Sequence, residues 1–178
     1  PRFRFGRLTA TEVTELLVRD HGYAEGDARA VAATADGSLG LALRLDSDDM
    51  ASARECASRS LQSSATTTDS KRRLVAIKEL FEEFLEKKNV PATREAFALM
   101  LQAMMSLLRD IGLVNSRADR KGLANSDLES DLTKLAIDYG DGSDRVLNAF
   151  SAVDRALDAL TVRNANPKIV ADWLMLQL

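Results

Sequence analysis

Histidine and cysteine are nearly missing from this chain of 178 residues, which holds one of each, His21 and Cys56. A single cysteine excludes an internal disulfide and any multi-cysteine zinc site, and it fits a reducing cytoplasm. A single histidine leaves little from which to assemble the converging nucleophiles, bases or metal ligands of a hydrolase or transferase. Proline occurs three times and aromatics make up only 5 % of the chain, against 46 % apolar residues. Few helix breakers and few aromatics favour helices packed through aliphatic side chains. A surplus of one charge is also lacking: 24 basic and 27 acidic side chains leave a net charge of −3. The first fifty residues hold six basic and nine acidic side chains, which accounts for the whole acidic excess. That is not the footprint of an independent nucleic-acid binder, although a neutral total leaves room for a basic stripe. No Gly-x-x-x-x-Gly-Lys-Ser/Thr phosphate loop occurs. The most apolar run, Phe97 to Val114, is interrupted by Gln102, Ser106, Arg109 and Asp110, so no segment reads as a signal peptide or membrane span.

What is present is helical periodicity from one end to the other. The alternating Arg2-Phe3-Arg4-Phe5 resembles a strand cut from its sheet, and a chain starting at Pro1 without methionine reads as a fragment whose N-terminal domain is absent. Thr9 and Glu12 fit a capping box for a helix that runs to about Asp20, apolar at Val13, Leu16 and Leu17 and stopped by Gly22. A short second helix passes through Asp27–Ala32 and breaks at Asp36-Gly37; Ser38 can cap a third over Leu39–Leu45. These three helices make a unit of under fifty residues, too small to be strongly stable alone. Ala51–Leu61 reads as a polar helix, followed by a loop or break over Ser63–Ser70. Leu74, Ile77, Phe81 and Phe84 mark a helix that ends at Asn89-Val90-Pro91, and Thr93 caps one that is apolar nearly all round, the mark of a bundle centre or a partner surface. Asn115–Ala124 reads as a loop. Asn125-Ser126-Asp127 caps a helix with Leu128, Leu132 and Leu135 on one face, and Val146, Phe150, Val153, Leu157 and Leu160 form a bundle seam. Asn166-Pro167 sets a cap and a first-turn proline before Ile169, Val170, Trp173, Leu174 and Leu176.

Candidate chemistry reduces mostly to structure. His21 at a helix end suits the negative terminus, and Cys56 reads as a small buried side chain rather than a catalytic thiol. Glu79, Glu82, Glu83 and Glu86 lack the Glu-x-x-His partner of a carboxylate-bridged metal site and read as a solvated face supported by Lys87. Met100, Met104 and Met105 stand at core or adaptable-interface spacing. Asp69-Ser70-Lys71-Arg72-Arg73 reads as an exposed helix start. No metal and no cofactor are implied. The residues alone describe an all-helical protein without a self-contained active site.

Several separated features resemble the AAA+ clamp-loader family in the order in which that family carries them. Phe5-Gly6-Arg7-Leu8 is similar to the Phe-x-x-Leu that leads from the AAA+ core into the lid, with Arg7 at the place commonly held by proline. The stretch from Glu12 to Leu43 resembles a clamp-loader lid, with Gly37-Ser38 at its turn motif. Leu123–Leu128, and the ending Asn164-Ala165-Asn166-Pro167 before a leucine-rich helix, are similar to the C-terminal collar of delta-prime-type subunits of the bacterial DNA polymerase III clamp loader. In the ATP-hydrolysing members a nucleotide-sensing arginine stands three residues after the turn glycine; here that residue is Gly40.

The resemblance implies an all-α protein: a three-helix lid over residues 1–49, then a collar of about five to six helices over 50–178. It implies an assembly subunit of stator type without catalysis or nucleotide binding of its own, associating with gamma/tau and delta subunits through the collar. Through them it reaches the sliding clamp and primed DNA in a cytoplasmic replisome, with no membrane. An arginine at position 40 would hold the γ-phosphate and couple hydrolysis to lid motion; glycine does neither. Met105, Leu108 and Trp173 are the expected partner contacts. A fragment of the gamma/tau ATPase and an unrelated helical adaptor are the alternatives.

Overall fold

The first helix begins where two side chains satisfy each other's backbone. Thr9 Oγ1 accepts from the Glu12 amide at 3.2 Å, and Glu12 Oε2 accepts from the Thr9 amide at 2.7 Å and from its hydroxyl at 2.8 Å. These donors hold the Glu12 carboxyl below its ordinary pKa, the Thr9 amide contributing most. The computed structural model describes residues 6, 8–35, 37–43, 47–67, 69–86, 93–117, 119–140 and 143–178. Among them are nine α-helices and two 3-10 turns, with no strand: an all-α protein. The expected strand at Arg2–Phe5 lies outside the described residues.

Helix α1 (Ala10–His21) buries Val13 and Leu17 and closes on Gly22, whose φ of 70° is left-handed. It packs on α2 (Glu25–Thr34), which continues through a tight turn to α3 (Leu39–Ala42). Helix α3 is shorter than expected: Leu43 already lies in a turn, and 44–46 lie outside the described residues. Helices α4 (Ser47–Thr66), α5 (Ser70–Glu86), α6 (Thr93–Asn115), α7 (Glu129–Tyr139), α8 (Ser143–Thr161) and α9 (Pro167–Gln177) follow, with 3-10 turns at Arg120–Gly122 and Ser126–Leu128.

Helix α6 is the centre. It touches α2, α4, α5, α7, α8 and α9. Phe97, Met100, Leu101, Met104, Leu107, Leu108 and Ile111 are each no more than 1 % exposed. Its all-round apolarity is therefore that of a bundle core. Against the sequence expectation, Arg94–Asn115 is long and apolar enough to cross a membrane by length and composition alone, but more than half of that span is buried inside the protein. The buried cluster runs without interruption from Val13 in α1 to Leu178.

Helix α5 lays Ile77, Phe81 and Phe84 against this core, and the Phe81 ring meets Phe97 edge-on at 5.7 Å. Helix α8 does the same with Val146, Val153 and Leu160, flanked by the partly buried Phe150 and Leu157. The final helix starts as expected, with Asn166 Oδ1 accepting from the Lys168 amide at 2.9 Å ahead of Pro167.

Two sequence expectations are corrected for tertiary reasons: the break expected over Ser63–Ser70 is present but shorter, between Thr66 and Ser70, and Asn125 does not cap a helix. The serine- and threonine-rich stretch after Leu61 is helical to Thr66, because Ser64 is buried with its hydroxyl donating to the Leu178 carbonyl at 2.7 Å. Thr66 bonds back to Gln62 one turn earlier, so packing overrides weak helix propensity. Asn125 makes no cap bond. It is buried, and its side-chain amide donates to Ser106 Oγ and to Asp110 Oδ2, both at 2.9 Å. The fully buried Asp110 also accepts from the backbone amides of Ala124 (3.2 Å) and Asn125 (2.8 Å), pinning the 120–128 segment onto α6.

Removing that carboxylate would strand buried amides without an acceptor. Asp110→Ala is expected to lower the unfolding free energy by about 3 kcal/mol, and Ser106→Ala by about 1 kcal/mol, as measured by urea denaturation followed by circular dichroism.

Candidate functional site

The turn between α2 and α3 is built from three local choices. Gly37 adopts a φ of 76°, a left-handed backbone that a side chain would strain. The Ser38 amide donates to the Ala35 carbonyl at 2.9 Å, and Ser38 Oγ accepts from the Leu41 amide at 3.2 Å, capping α3. The Leu8 amide donates to the Gly37 carbonyl at 3.2 Å, so the chain entering α1 is tied to this turn. Gly40 follows on the exposed side of α3, and a Cβ built on it meets nothing within 4 Å. A Cβ is therefore accommodated at this exposed position, and packing does not demand glycine there.

The chemically suggestive residues do not converge. His21 is exposed in the last turn of α1. Glu79, Glu82 and Glu83 are exposed on α5, where Lys78 pairs with Glu82 and Arg59 with Glu83; the side chain of Glu86 lies outside the described residues. Asp69 Oδ1 caps α5 by accepting from the amides of Lys71 and Arg72 at 2.9 and 3.0 Å. Met100 and Met104 are fully buried. Among the described residues no group of three or more His, Cys, Asp or Glu could hold a metal ion. Cys56 is buried against the Leu80 carbonyl and Met100 Sδ, each 3.5 Å from its sulfur, and burial pushes its thiol up to about 11.

The three expected partner contacts fall in different places. Leu108 is 1 % exposed inside the core and presents no surface. Met105 is half-buried and packs against the core from α6. Trp173 is half-buried on α9, and it is not alone: Ile169 and Leu176, 68 % and 67 % exposed, share its side of the helix. Spacings of four and three residues put all three within one face. That apolar stripe lies opposite the face buried through Val170, Leu174 and Met175. The 169/173/176 spacing stands in the sequence, but only the packing of α9 shows which of its two apolar faces is covered.

The described residues thus define an all-α helical protein with a Gly-Ser helix turn and an apolar helix face exposed at Ile169 and Leu176. No protein-family model, no curated protein and no solved structure matches the chain.

Gly40→Ala is expected to raise stability by about 0.4–1 kcal/mol, and Gly40→Arg to fold without loss, both read by thermal denaturation. The Cys56 thiol is expected to resist an aromatic disulfide reagent at pH 8 and to react fully in denaturant. Because the folded state holds the Cys56 proton more tightly than the unfolded chain, the thiol's contribution to stability is full below pH about 9 and is lost as the pH rises towards about 11. That loss is roughly 2–3 kcal/mol, and Cys56→Ala should flatten it. Burial also raises Tyr139 above its ordinary value, which adds a loss in the same direction at higher pH.

Proposed function

We propose that this chain is the lid and collar of a delta-prime-like subunit of the bacterial DNA polymerase III clamp loader, an assembly subunit that does not hydrolyse ATP. The observation that carries the reading is the α2–α3 turn: Gly37 and Ser38 form the tight helix junction, and the sensor-arginine position is a glycine in open space. Since nothing steric requires glycine at residue 40, its presence in place of arginine fits a subunit placed beside an ATPase rather than one that senses nucleotide through its own lid. The apolar stripe of α9 supports the collar part of the reading. Exposed Ile169 and Leu176 beside Trp173 are the kind of aromatic and aliphatic anchors that form the core of a subunit contact. In this reading the first three helices are the lid and the helices around α6 are the collar. The site residues are Gly37 and Ser38 at the turn and Trp173 at the contact, extended by Ile169 and Leu176; Met105 is a half-buried candidate.

Co-expression with the gamma and delta subunits of the same organism's clamp loader tests this directly. The chain is expected to elute with a gamma-containing complex and to show no ATPase activity alone. A triple variant, Ile169→Ala, Trp173→Ala and Leu176→Ala, is expected to keep its helical circular dichroism and weaken association at least about tenfold, since buried interface anchors are worth roughly 2 kcal/mol or more each. Failure of the wild-type chain to join the complex would sink the assignment, and turnover abolished by one substitution in this chain would shift it to the gamma/tau ATPase.

A further inference from the structure

A groove of about 630 Å³ separates α1 and α2 from α6 and the two 3-10 turns, and arginines reach into it from both sides. Arg29 comes from α2; Arg109 comes from α6 and Arg120 from the first 3-10 turn. Among the described residues each makes one side-chain hydrogen bond. Arg29 pairs with Glu25 one turn away, and Arg120 Nη1 donates to Glu129 Oε1 at 2.6 Å. Arg109 Nη2 donates to the Gly122 carbonyl at 3.1 Å, a neutral acceptor that positions the guanidinium without cancelling its charge. A guanidinium carries five donors in a planar fork, so one such bond orients it and leaves most of the fork to other acceptors. Arg29 and Arg120 keep half or more of their side-chain surface exposed, 50 % and 55 %.

The groove also contains two carboxylates, Glu15 and Glu25, against the three cations. Glu25 and Glu129 are the partners of Arg29 and Arg120, whereas Arg109 is bonded to a neutral carbonyl and is the cation of the three with no carboxylate partner among the described residues. The rest of the lining includes Leu123 and Ala124, a small apolar floor. The volume lies within the range of small-ligand sites, roughly 300–1,000 Å³, and far exceeds what one simple ion fills. Cations on facing walls require a ligand with anionic groups at both ends. A phosphate group, with more charge and more acceptor oxygens than a carboxylate, competes well for an arginine already paired with glutamate. Nucleic acid fits less well, because these arginines converge on a bounded groove of a net acidic chain instead of tracking along a stripe.

We infer that this groove binds a small ligand bearing two or more phosphate groups, gripped by Arg29 from one wall and by Arg109 and Arg120 from the other. Its occupancy ties the α1–α2 pair to the α6 side of the bundle. The site stands on the groove and its arginines alone and does not depend on the clamp-loader reading.

Isothermal titration of the full chain with inorganic tripolyphosphate, at ionic strength held constant with sodium chloride, tests it. The expected result is saturable binding at one site, weakened about tenfold or more by Arg29→Ala and by the Arg109→Ala, Arg120→Ala pair, as losing a charge-assisted bond implies. Glu15→Gln removes a repelling carboxylate and should tighten binding a few-fold. All four side chains are at the surface, and unchanged circular dichroism confirms that the variants fold. Slowed hydrogen exchange on both walls, in α2 and in the 120–126 segment, is expected on saturation. Absence of saturable binding, or affinity unchanged in the arginine variants, would overturn the inference. So would a single-stranded oligonucleotide displacing tripolyphosphate at lower concentration, which would make the groove a nucleic-acid contact.

Discussion

A 23-residue helix that is apolar on nearly every side has to be covered on every side, and α6 imposes that requirement on the rest of the chain. Full burial of a large aliphatic or aromatic side chain is worth roughly 1.5–3 kcal/mol, and α6 alone buries seven of them. Helices α4 and α8 flank it with long seams of alanine, valine and leucine, α5 contributes phenylalanines, and α7 and α9 complete the enclosure. Helix α2 also touches α6, bringing the first three helices onto the same buried cluster. A unit of that size holds too little core for strong stability by itself, and the contact through α2 supplies what it lacks.

Where apolar packing stops, long polar side chains deal with the backbone groups left at helix ends. Arg94, at the start of α6, donates to the carbonyl of Leu160 at the end of α8 and to that of Ala165 at 2.9 Å, beside Asn164 in a left-handed backbone. Arg145 donates to the carbonyls of Ser64 and Asp138 at 3.2 and 3.4 Å while its guanidinium lies 5.3 Å from the Tyr139 ring centroid. It thereby joins the ends of α4 and α7. Asp110 serves backbone donors in the same way from inside the core. Three charged residues thus act as cross-braces between elements far apart in sequence, and none of them is needed to explain an activity.

In the proposed reading, the functional surfaces are those that this arrangement leaves facing outward. Gly40 stands on the exposed side of α3, where an added Cβ meets nothing within 4 Å, and the outer face of α9 carries exposed Ile169 and Leu176 beside half-buried Trp173. The arginine-lined groove lies at the junction of the three-helix unit and the bundle. An assembly subunit needs such surfaces more than it needs converging catalytic groups. Cys56 and the α6 methionines Met100 and Met104 are enclosed by the same packing that exposes those surfaces.

Most of the helices were legible because their signals are local. The Thr9–Glu12 box, Gly22, the Gly37-Ser38 turn and Asn166-Pro167 act within four residues of themselves, and the seams of α5 and α8 follow from helical period alone. Ser64 and Asn125 were misread because their partners, Leu178 and Asp110, lie 114 and 15 residues away, and no local propensity encodes such a bond. The same limit applied to the surface. Leu108 and Trp173 look equally suited to a partner in sequence, yet one is enclosed by other helices and the other stands beside exposed Ile169 and Leu176. The sequence by itself determined that the helices exist, where most of them start and which residues form their apolar faces, since those depend on neighbours three or four residues apart. The tertiary structure decided which apolar faces are covered and which arginines share a groove, because burial is a property of what other segments bring alongside.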